Sequence, residues 1–543
     1  MEACHPPAPE IPRHAGARGR GAVWRWMGLR WSASDRRLGG RPKPGFDWLL
    51  ALACGMALLL FTPWRAAYQL GPAEGYELMK AVLVSQGHAL YGPFWNDQPP
   101  LHTELLAGLF LLFGPSVRLG RLVSIGSAML LFAGLSALAR RGSTRLAGVM
   151  AVGLLLCASE SLRLSVAAML EVPAFALGVA ALWLWVQGRE RGTVGWFAAS
   201  GAVFGGALQV KFTAALLGPA MAVDFLVERW RQRCRAGNPP HAGASETAGT
   251  RPQQDPGWQG ALAWLAGATG VFGLVAWIWY QPGTWTVFWK SHFSAGTAAG
   301  ATELGEVFRW SLFQDDLGLV LPGLAGLVLL AGARRREVLM PAVILFTTLL
   351  AHGLHRPVWP TYRLHFAIPL AWLGGLGLVE GFRTWRRRRQ AADSGHWAAT
   401  TASVTIWSVG LSAALTLAPE KAWREWRQLR RADPAASEKT VVMLRAAAAR
   451  NVRWVVTDQT LAAFWAGLPI PPELVILPAK RFWSGQITLQ EVREVVVCYQ
   501  PELVYLASWP EAFEEIADLL QAHYMPDSQG SCLFKRKRPE GSP

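Results

Sequence analysis

Long apolar runs separated by short charged segments dominate the chain from about residue 46 to residue 418. An α-helix needs roughly 20 mostly apolar residues to cross a bilayer. The runs predict spans near 46–64, 119–139, 146–163, 172–188, 194–211, 213–227, 259–281, 314–332, 338–354, 363–381 and 398–418. The run from Leu101 to Phe113 has only 13 residues, so it is expected to lie along, or dip into, the membrane surface. With that run left out of the count, the strongly basic loops all fall on one side. These are Arg140 to Arg145, Gly188 to Gly192, Glu228 to Trp258, Arg334 to Glu337, and Arg383 to Gln390 with its run Arg386 to Arg389. Basic loops mark the cytoplasmic face. The expected fold class is therefore a polytopic α-helical membrane protein of about eleven spans, with its N-terminus inside and its C-terminus outside.

Outside the spans the pattern changes twice. Residues 1–45 are rich in Arg, Pro and Gly and lack the short apolar core of a signal peptide, so they read as a basic, disordered cytoplasmic tail. Residues 46–418 form the membrane domain, with residues 65–118 as its long first outer loop. From about residue 419 the chain leaves the membrane. A basic-aromatic helix from Lys421 to Arg431, suited to a membrane surface, leads into a small domain that reaches residue 543. There VRWVVTD and PELVYLA read as strands, and LQEVREVVVCYQ and EAFEEIADLLQAHY as helices, which predicts a small α/β domain with a mainly parallel sheet.

Composition narrows the function classes. Charged residues make up 17% of the chain and apolar ones 52%, too lopsided for a soluble protein. The net charge of +16 lies in clusters between spans rather than on one face, so nucleic-acid binding is not expected. The domain lacks GxGxxG and P-loop motifs, so nucleotide binding is not supported. The cysteines show no metal-like spacing; Cys498 and Cys532 share the C-terminal domain and are open to pairing or to staying as buried thiols.

The outer side collects the candidate chemistry. Glu74 and Glu77 open an amphipathic turn after the first span, and Asp97 sits in a Trp-Asn-Asp-Gln turn before Pro99-Pro100. Glu171 interrupts the apolar run AAMLEVPAFAL, and an acid at the edge of hydrocarbon often marks function; capping the helix that follows is the alternative. Lys211 ends its span and either snorkels to the interface or serves the site. The segment HRPVWPTYRLHF brings His355, Arg356, Tyr362, Arg363 and His365 to one rim, where basic side chains suit an anionic headgroup or phosphate; Trp359 and Tyr362 also suit interfacial anchoring.

Taken together, Glu74-Gly75-Tyr76-Glu77, Asn96-Asp97-Gln98-Pro99-Pro100-Leu101, Val117-Arg118-Leu119-Gly120-Arg121, Leu170-Glu171-Val172-Pro173 and GAVFGGALQVKFTA resemble one group of proteins. This is the bacterial dolichyl-phosphate-mannose-protein mannosyltransferase-like family, which includes the aminoarabinose transferases of lipid A and has the GT-C fold. The resemblance covers roughly residues 46–380. It implies an integral-membrane glycosyltransferase of the bacterial inner membrane. The donor would be a sugar on polyprenyl phosphate, and the acceptor a lipid or protein on the periplasmic side. It further implies Glu74 and Glu171 at the family's two acidic sites and Lys211 at its lysine, and a divalent metal ion between acids such as Glu74 and Glu171 and the phosphate is the candidate cofactor. From the residues themselves, Asp97 is the other candidate catalytic acid, Arg356 and Arg363 join Lys211 as candidates at the donor phosphate, and Tyr76, His102, His355 and Tyr362 are candidates to line the pocket.

The chain departs from the family at two points. The Asp of its Asp-Glu pair is Ala73 here, so Glu74 or Asp97 takes over the base role, or the protein is catalytically weak or silent. The Lys-Pro step is Gln98-Pro99, which removes one cation. In the implied reaction a carboxylate takes the acceptor proton, and cations receive the leaving phosphate. Two other classes remain: a degenerate binding or scaffold protein, which Ala73 would suit, and a lipid-linked-sugar transporter, which would show mid-span polar residues and an internal repeat.

Overall fold

The computed structural model describes residues 45–71, 73–92, 94–141, 143–236, 257–390, 397–431, 434–448, 452–507, 514–527 and 532–537. The basic N-terminal tail and most of the 228–258 linker lie outside the described residues.

Every expected span falls on a helix. In chain order these are α1 (Gly45–Phe61), α4 (Val117–Arg140), α5 (Arg145–Cys157), α6 (Glu171–Arg191), α7 (Val194–Val210), α8 (Gly218–Ala236), α9 (Gly257–Trp279), α11 (Leu317–Gly332), α12 (Leu339–Leu354), α13 (Arg363–Gln390) and α14 (Trp397–Arg431). Seven helical segments are long and apolar enough to cross a membrane: those of α4, α6, α9, α11, α12, α13 and α14. Among them α13 is the axis, its apolar window wholly buried by its neighbours, whereas only 11% of the α9 window is buried. The outward face of α9, with Leu262, Leu265, Leu274 and Trp277 exposed, is what lipid would cover. The glycine-rich sequence of α7 has a packing cause: a Cβ at Gly205 would stand 2.5 Å from the Ala268 carbonyl oxygen, so α7 and α9 approach backbone to backbone.

At one end of the bundle the basic residues meet buried acids. Arg140 pairs with Asp47 at 2.6 Å, and Arg336 with Asp224 at 2.9 Å. Arg189 also reaches Asp224, and Arg141 reaches Glu190. The loops that the charge pattern put on one side thus converge there.

The opposite end carries the first long loop, with α2 (Glu74–Ser85) and α3 (Leu101–Phe113). Helix α3 buries Leu106, Ala107 and Phe110 against Leu78 and Ala81 of α2 while Leu111, Leu112 and Phe113 stay exposed. After it come α10 (Thr284–Phe293), between α9 and α11, and the C-terminal unit.

Helix α14 runs without a break to Arg431, so the expected boundary at 418/419 and the basic-aromatic segment both fall inside one helix, with Pro419 within it. The unit beyond comprises α15 (Pro434–Ala448), α16 (Thr460–Ala466), α17 (Ala479–Trp483), α18 (Leu489–Tyr499) and α19 (Ala517–His523) around strands β1 (Val455–Thr457), β2 (Leu503–Tyr505), β3 (Tyr524–Pro526) and β4 (Leu533–Arg536). Helix α18 starts on a reciprocal capping box between Thr488 and Glu491. The sheet order is β1-β2-β4-β3. Only β1 and β2 are parallel (Val456 opposite Val504); β4 runs antiparallel to both β2 and β3. The expectation of a mainly parallel sheet is thereby corrected to a mixed one. The two strands behind the change, YMP and LFKR, are too short and too polar to carry an apolar run. Cys498 and Cys532 are free and exposed, neither bridged nor buried.

This unit does not stand apart. Met79, Leu83, Leu90, Phe94 and Trp95 of the first loop share one hydrophobic core with Val455, Val475 and Leu503. Trp95 donates to Gln486 at 3.0 Å, and Gln486 donates to Ser291 of α10 at 2.8 Å.

A candidate active site at the end of the bundle beneath the first long loop

The first candidate, Glu74, sits at the start of α2, next to Ala73, whose methyl group offers the helix no cap. Its carboxylate is fully buried. Oε1 accepts from Arg121 Nε at 2.7 Å and from the Ala168 N–H at 3.0 Å; Oε2 accepts from Arg121 Nη2 at 2.8 Å and from the Leu70 N–H at 2.9 Å. The remaining N–H groups of Arg121 go to the carbonyls of Trp64, Ala66 and Tyr68. A buried guanidinium and carboxylate with every donor used form a structural anchor. The anchor ties the chain leaving α1 to α4.

One turn on, Glu77 faces elsewhere. Its Oε1 accepts from Lys80 Nζ at 2.9 Å, and Lys80 also donates to Asn96 Oδ1 at 3.1 Å. Its Oε2 has no hydrogen-bond partner among the described residues, although Lys80 Nζ lies 2.8 Å away. His102 Nδ1 stands 3.9 Å from that oxygen, and both ring nitrogens of His102 are also without hydrogen-bond partners. His102 opens α3 outside the spans. Burial, reinforced by the charge of Lys80 and opposed by that of Glu171, pushes its pKa down to about 3. The ring is therefore neutral at ordinary pH. The local backbone is close-packed: a Cβ at Gly75 would stand 2.6 Å from the Leu461 amide nitrogen of α16.

Glu171, at the first turn of α6, is buried and receives Lys211 Nζ at 2.5 Å. Lys211 ends α7 and sits over the Tyr362 ring at 5.3 Å. Beside them lies a stack of His352, Tyr362 and His365, with ring centroids 4.8 to 5.1 Å apart and His352 Nε2 2.9 Å from His365 Nδ1. The charge of Glu77 is felt at Lys211, and those of Lys211, Glu171 and Asp97 at the Tyr362 hydroxyl, so these groups share one low-dielectric region.

Asp97 closes the cluster from the loop side. His292 Nε2 of α10 is 3.3 Å from its Oδ2, and Lys480 of α17 reaches the same oxygen. Burial pushes the carboxyl up, but Lys480 and His292 outweigh it and hold Asp97 well below the usual carboxylate range. His355 packs against this pair, its ring 6.4 Å from that of His292.

Three expected residues point away. Tyr76 turns toward the C-terminal unit, where burial and Asp458 push its hydroxyl up to about 12. Arg356 is exposed and donates to Thr302 at 3.1 Å. Arg363 pairs with Asp315 at 2.9 Å and lines an apolar groove with Phe313, Leu319, Phe366 and Leu370. Glu171, Lys211, Tyr362, His102, Asp97 and His355 do come together. Sequence reasoning missed Lys80, His292, His352 and Lys480. It also passed over Glu77 as a site residue, although its spacing of three from Lys80 offered a signal.

The residues do not suit the expected metal ion. Both oxygens of Glu74 already accept two hydrogen bonds each, and the described residues hold no group of three or more His, Cys, Asp or Glu side chains placed to bind one.

Comparison with known proteins bears on the fold. Residues 97–245 match the model of the family described as dolichyl-phosphate-mannose-protein mannosyltransferase. No curated protein matches the sequence. Among solved structures, ArnT from Cupriavidus metallidurans bound to undecaprenyl phosphate is 16% identical, with a TM-score of 0.56 over 91% of this chain and 99% of that one. Its apo form gives 15% and 0.53 over 87% and 94%. The archaeal oligosaccharyltransferase AglB from Archaeoglobus fulgidus gives 12% and 0.49 over 93% and 75%. The chain has the ArnT fold along nearly its whole length, a multi-pass membrane protein of the GT-C-like kind that its motifs resemble.

Proposed function

We propose that the protein is a membrane glycosyltransferase that moves a sugar from a polyprenyl-phosphate donor to a lipid or protein acceptor. The observation that carries this reading is the buried Glu171–Lys211 pair beside Tyr362, at the outer end of a bundle with the fold of a protein crystallised on undecaprenyl phosphate. The charge pattern supports a bacterial inner-membrane protein with its N-terminus and basic loops in the cytoplasm, and the first loop and C-terminal unit in the periplasm.

A lipid phosphate leaving a sugar carbon needs a cation rather than an acid, because the departing oxygen is already a weak base. Lys211 supplies that cation, and Glu171 holds it in place.

The test is donor turnover by purified protein in lipid nanodiscs, with mass spectrometry of envelope glycolipids and glycoproteins from cells with and without the gene. Loss of one sugar increment on deletion, restored by the intact gene, is the expected result. Binding of undecaprenyl phosphate without any turnover would instead favour the binding-protein reading that Ala73 leaves open.

A further inference from the structure

Glu74, Glu77, Asp97 and Glu171, at this end of the bundle, each have their charge answered. Glu74 is saturated by Arg121 and two amides, Asp97 is held by Lys480 and His292, and Glu171 is held by Lys211. Glu77 is held by Lys80, 2.8 Å from its Oε2. Glu77 Oε2, Asp97 Oδ2 and Glu171 Oε2 all lack a hydrogen bond among the described residues, and of the three Glu77 Oε2 is the one beside a histidine whose ring nitrogens are both idle, His102 at 3.9 Å. Glu77 and His102 are buried to 3% and 1% exposure. A buried polar atom left unpaired costs roughly 1–3 kcal/mol, and several at one spot call for a ligand or a chemical role.

The two groups also differ in kind. A carboxylate oxygen only accepts, whereas a neutral imidazole has one N–H to donate. The group that satisfies both is one that donates a hydrogen and offers a lone pair: a hydroxyl. An oxygen set off the line between them, about 2.8 Å from each, an ordinary hydrogen-bond length, would bridge atoms that stand 3.9 Å apart. An anionic phosphate oxygen does not fit, because it would face the carboxylate without a proton between them.

Resting on the glycosyl-transfer reading above, we propose that Glu77 and His102 seat the acceptor's hydroxyl group, with Glu77 as the base, so that the acceptor is an alcohol rather than a phosphate. His102 donates to the hydroxyl oxygen and aims it. As that oxygen bonds to the anomeric carbon, its proton passes to Glu77 Oε2. The bond from the anomeric carbon to the lipid phosphate breaks, and its electron pair leaves on the phosphate oxygen beside Lys211. Glu77 then releases the proton to solvent.

The test uses the full-length protein and the sugar-bearing product defined by gene deletion. Glu77→Gln at wild-type abundance is expected to lower kcat about 10²–10⁴-fold, with the donor KM and undecaprenyl phosphate binding unchanged. Glu77→Asp should restore part of the rate, and His102→Ala should raise the acceptor KM. Because Glu77→Gln strips Lys80 of its partner, Glu77→Gln/Lys80→Met serves as the well-folded check and should be equally inactive. The product bond should resist mild acid, as a glycoside does and a glycosyl phosphate does not. A folded Glu77→Gln protein with full kcat, or an acid-labile product, overturns the proposal and leaves the transferase reading intact. A wild-type protein that neither binds undecaprenyl phosphate nor alters any envelope product overturns that reading, and this proposal with it.

Discussion

Arg121 grips both carboxylate oxygens of Glu74, at 2.7 and 2.8 Å, inside protein that water does not reach. The pair makes seven hydrogen bonds: two between its own members, three from Arg121 to the carbonyls of Trp64, Ala66 and Tyr68, and two to Glu74 from the Leu70 and Ala168 N–H groups.

Removing one partner of such a pair leaves a bare buried charge, which costs about 3–5 kcal/mol. Glu74→Ala should therefore lower the melting temperature and membrane yield sharply. Replacing both residues, Glu74→Met with Arg121→Met, should recover much of the loss. Thermal unfolding in detergent decides it. A Glu74→Ala protein that melts like wild type but lacks activity would return Glu74 to the chemistry.

The phosphate end has its own signature. Lys211→Gln with Glu171→Gln removes both charges together, so the fold should hold. Losing the charge-assisted contact should weaken undecaprenyl phosphate binding roughly 10- to 100-fold. A titration of the lipid phosphate into the purified double variant measures this. Unchanged affinity would leave Lys211 as a structural partner of Glu171.

Acid should weaken the protein partly through His102. Its pKa is about 3 when folded against an ordinary 6.5, so the unfolded chain binds the extra proton first. The stability from keeping the ring neutral is present above pH 6.5 and is lost as pH falls from there toward 3, amounting to a few kcal/mol at most. Asp97, with its carboxyl held low, contributes stability above the usual carboxylate range and loses it only below that. Melting curves between pH 7.5 and 4.5 should be less steep in pH for His102→Gln than for wild type. Parallel curves would contradict the assignment.

The shared core of the first loop and the C-terminal unit requires both on one side of the membrane. Cysteines introduced at Gln86 and Val442, with the native ones removed, should react with an impermeant reagent from outside, and a cysteine at Arg386 should react only after permeabilisation. Labelling of Gln86 and Val442 from opposite sides is incompatible with the core that joins Met79 and Leu83 to Val455 and Leu503.

What the sequence by itself determined was mostly local. An apolar run is read within itself, so the helices on which the expected spans fall, the shortness of α3 and the clustering of basic loops were legible before any tertiary contact. Glu171 and Lys211 were legible as well, because a charge at the edge of hydrocarbon stands out against its neighbours. Partner choice was not local. Glu74 and Glu77 lie one turn apart and look alike in the chain, yet one is taken by Arg121 from 47 residues away and the other by Lys80, beside His102. Asp97 is answered by Lys480, which arrives from a unit whose own segment gives no hint of the membrane site. The stack of His352, Tyr362 and His365 joins the end of α12 to the start of α13 in the same way. Hydrophobic periodicity is a property of a helix alone. The role of a buried charge depends on which opposite charge the fold brings within about 3 Å of it, and only the packed structure decides that.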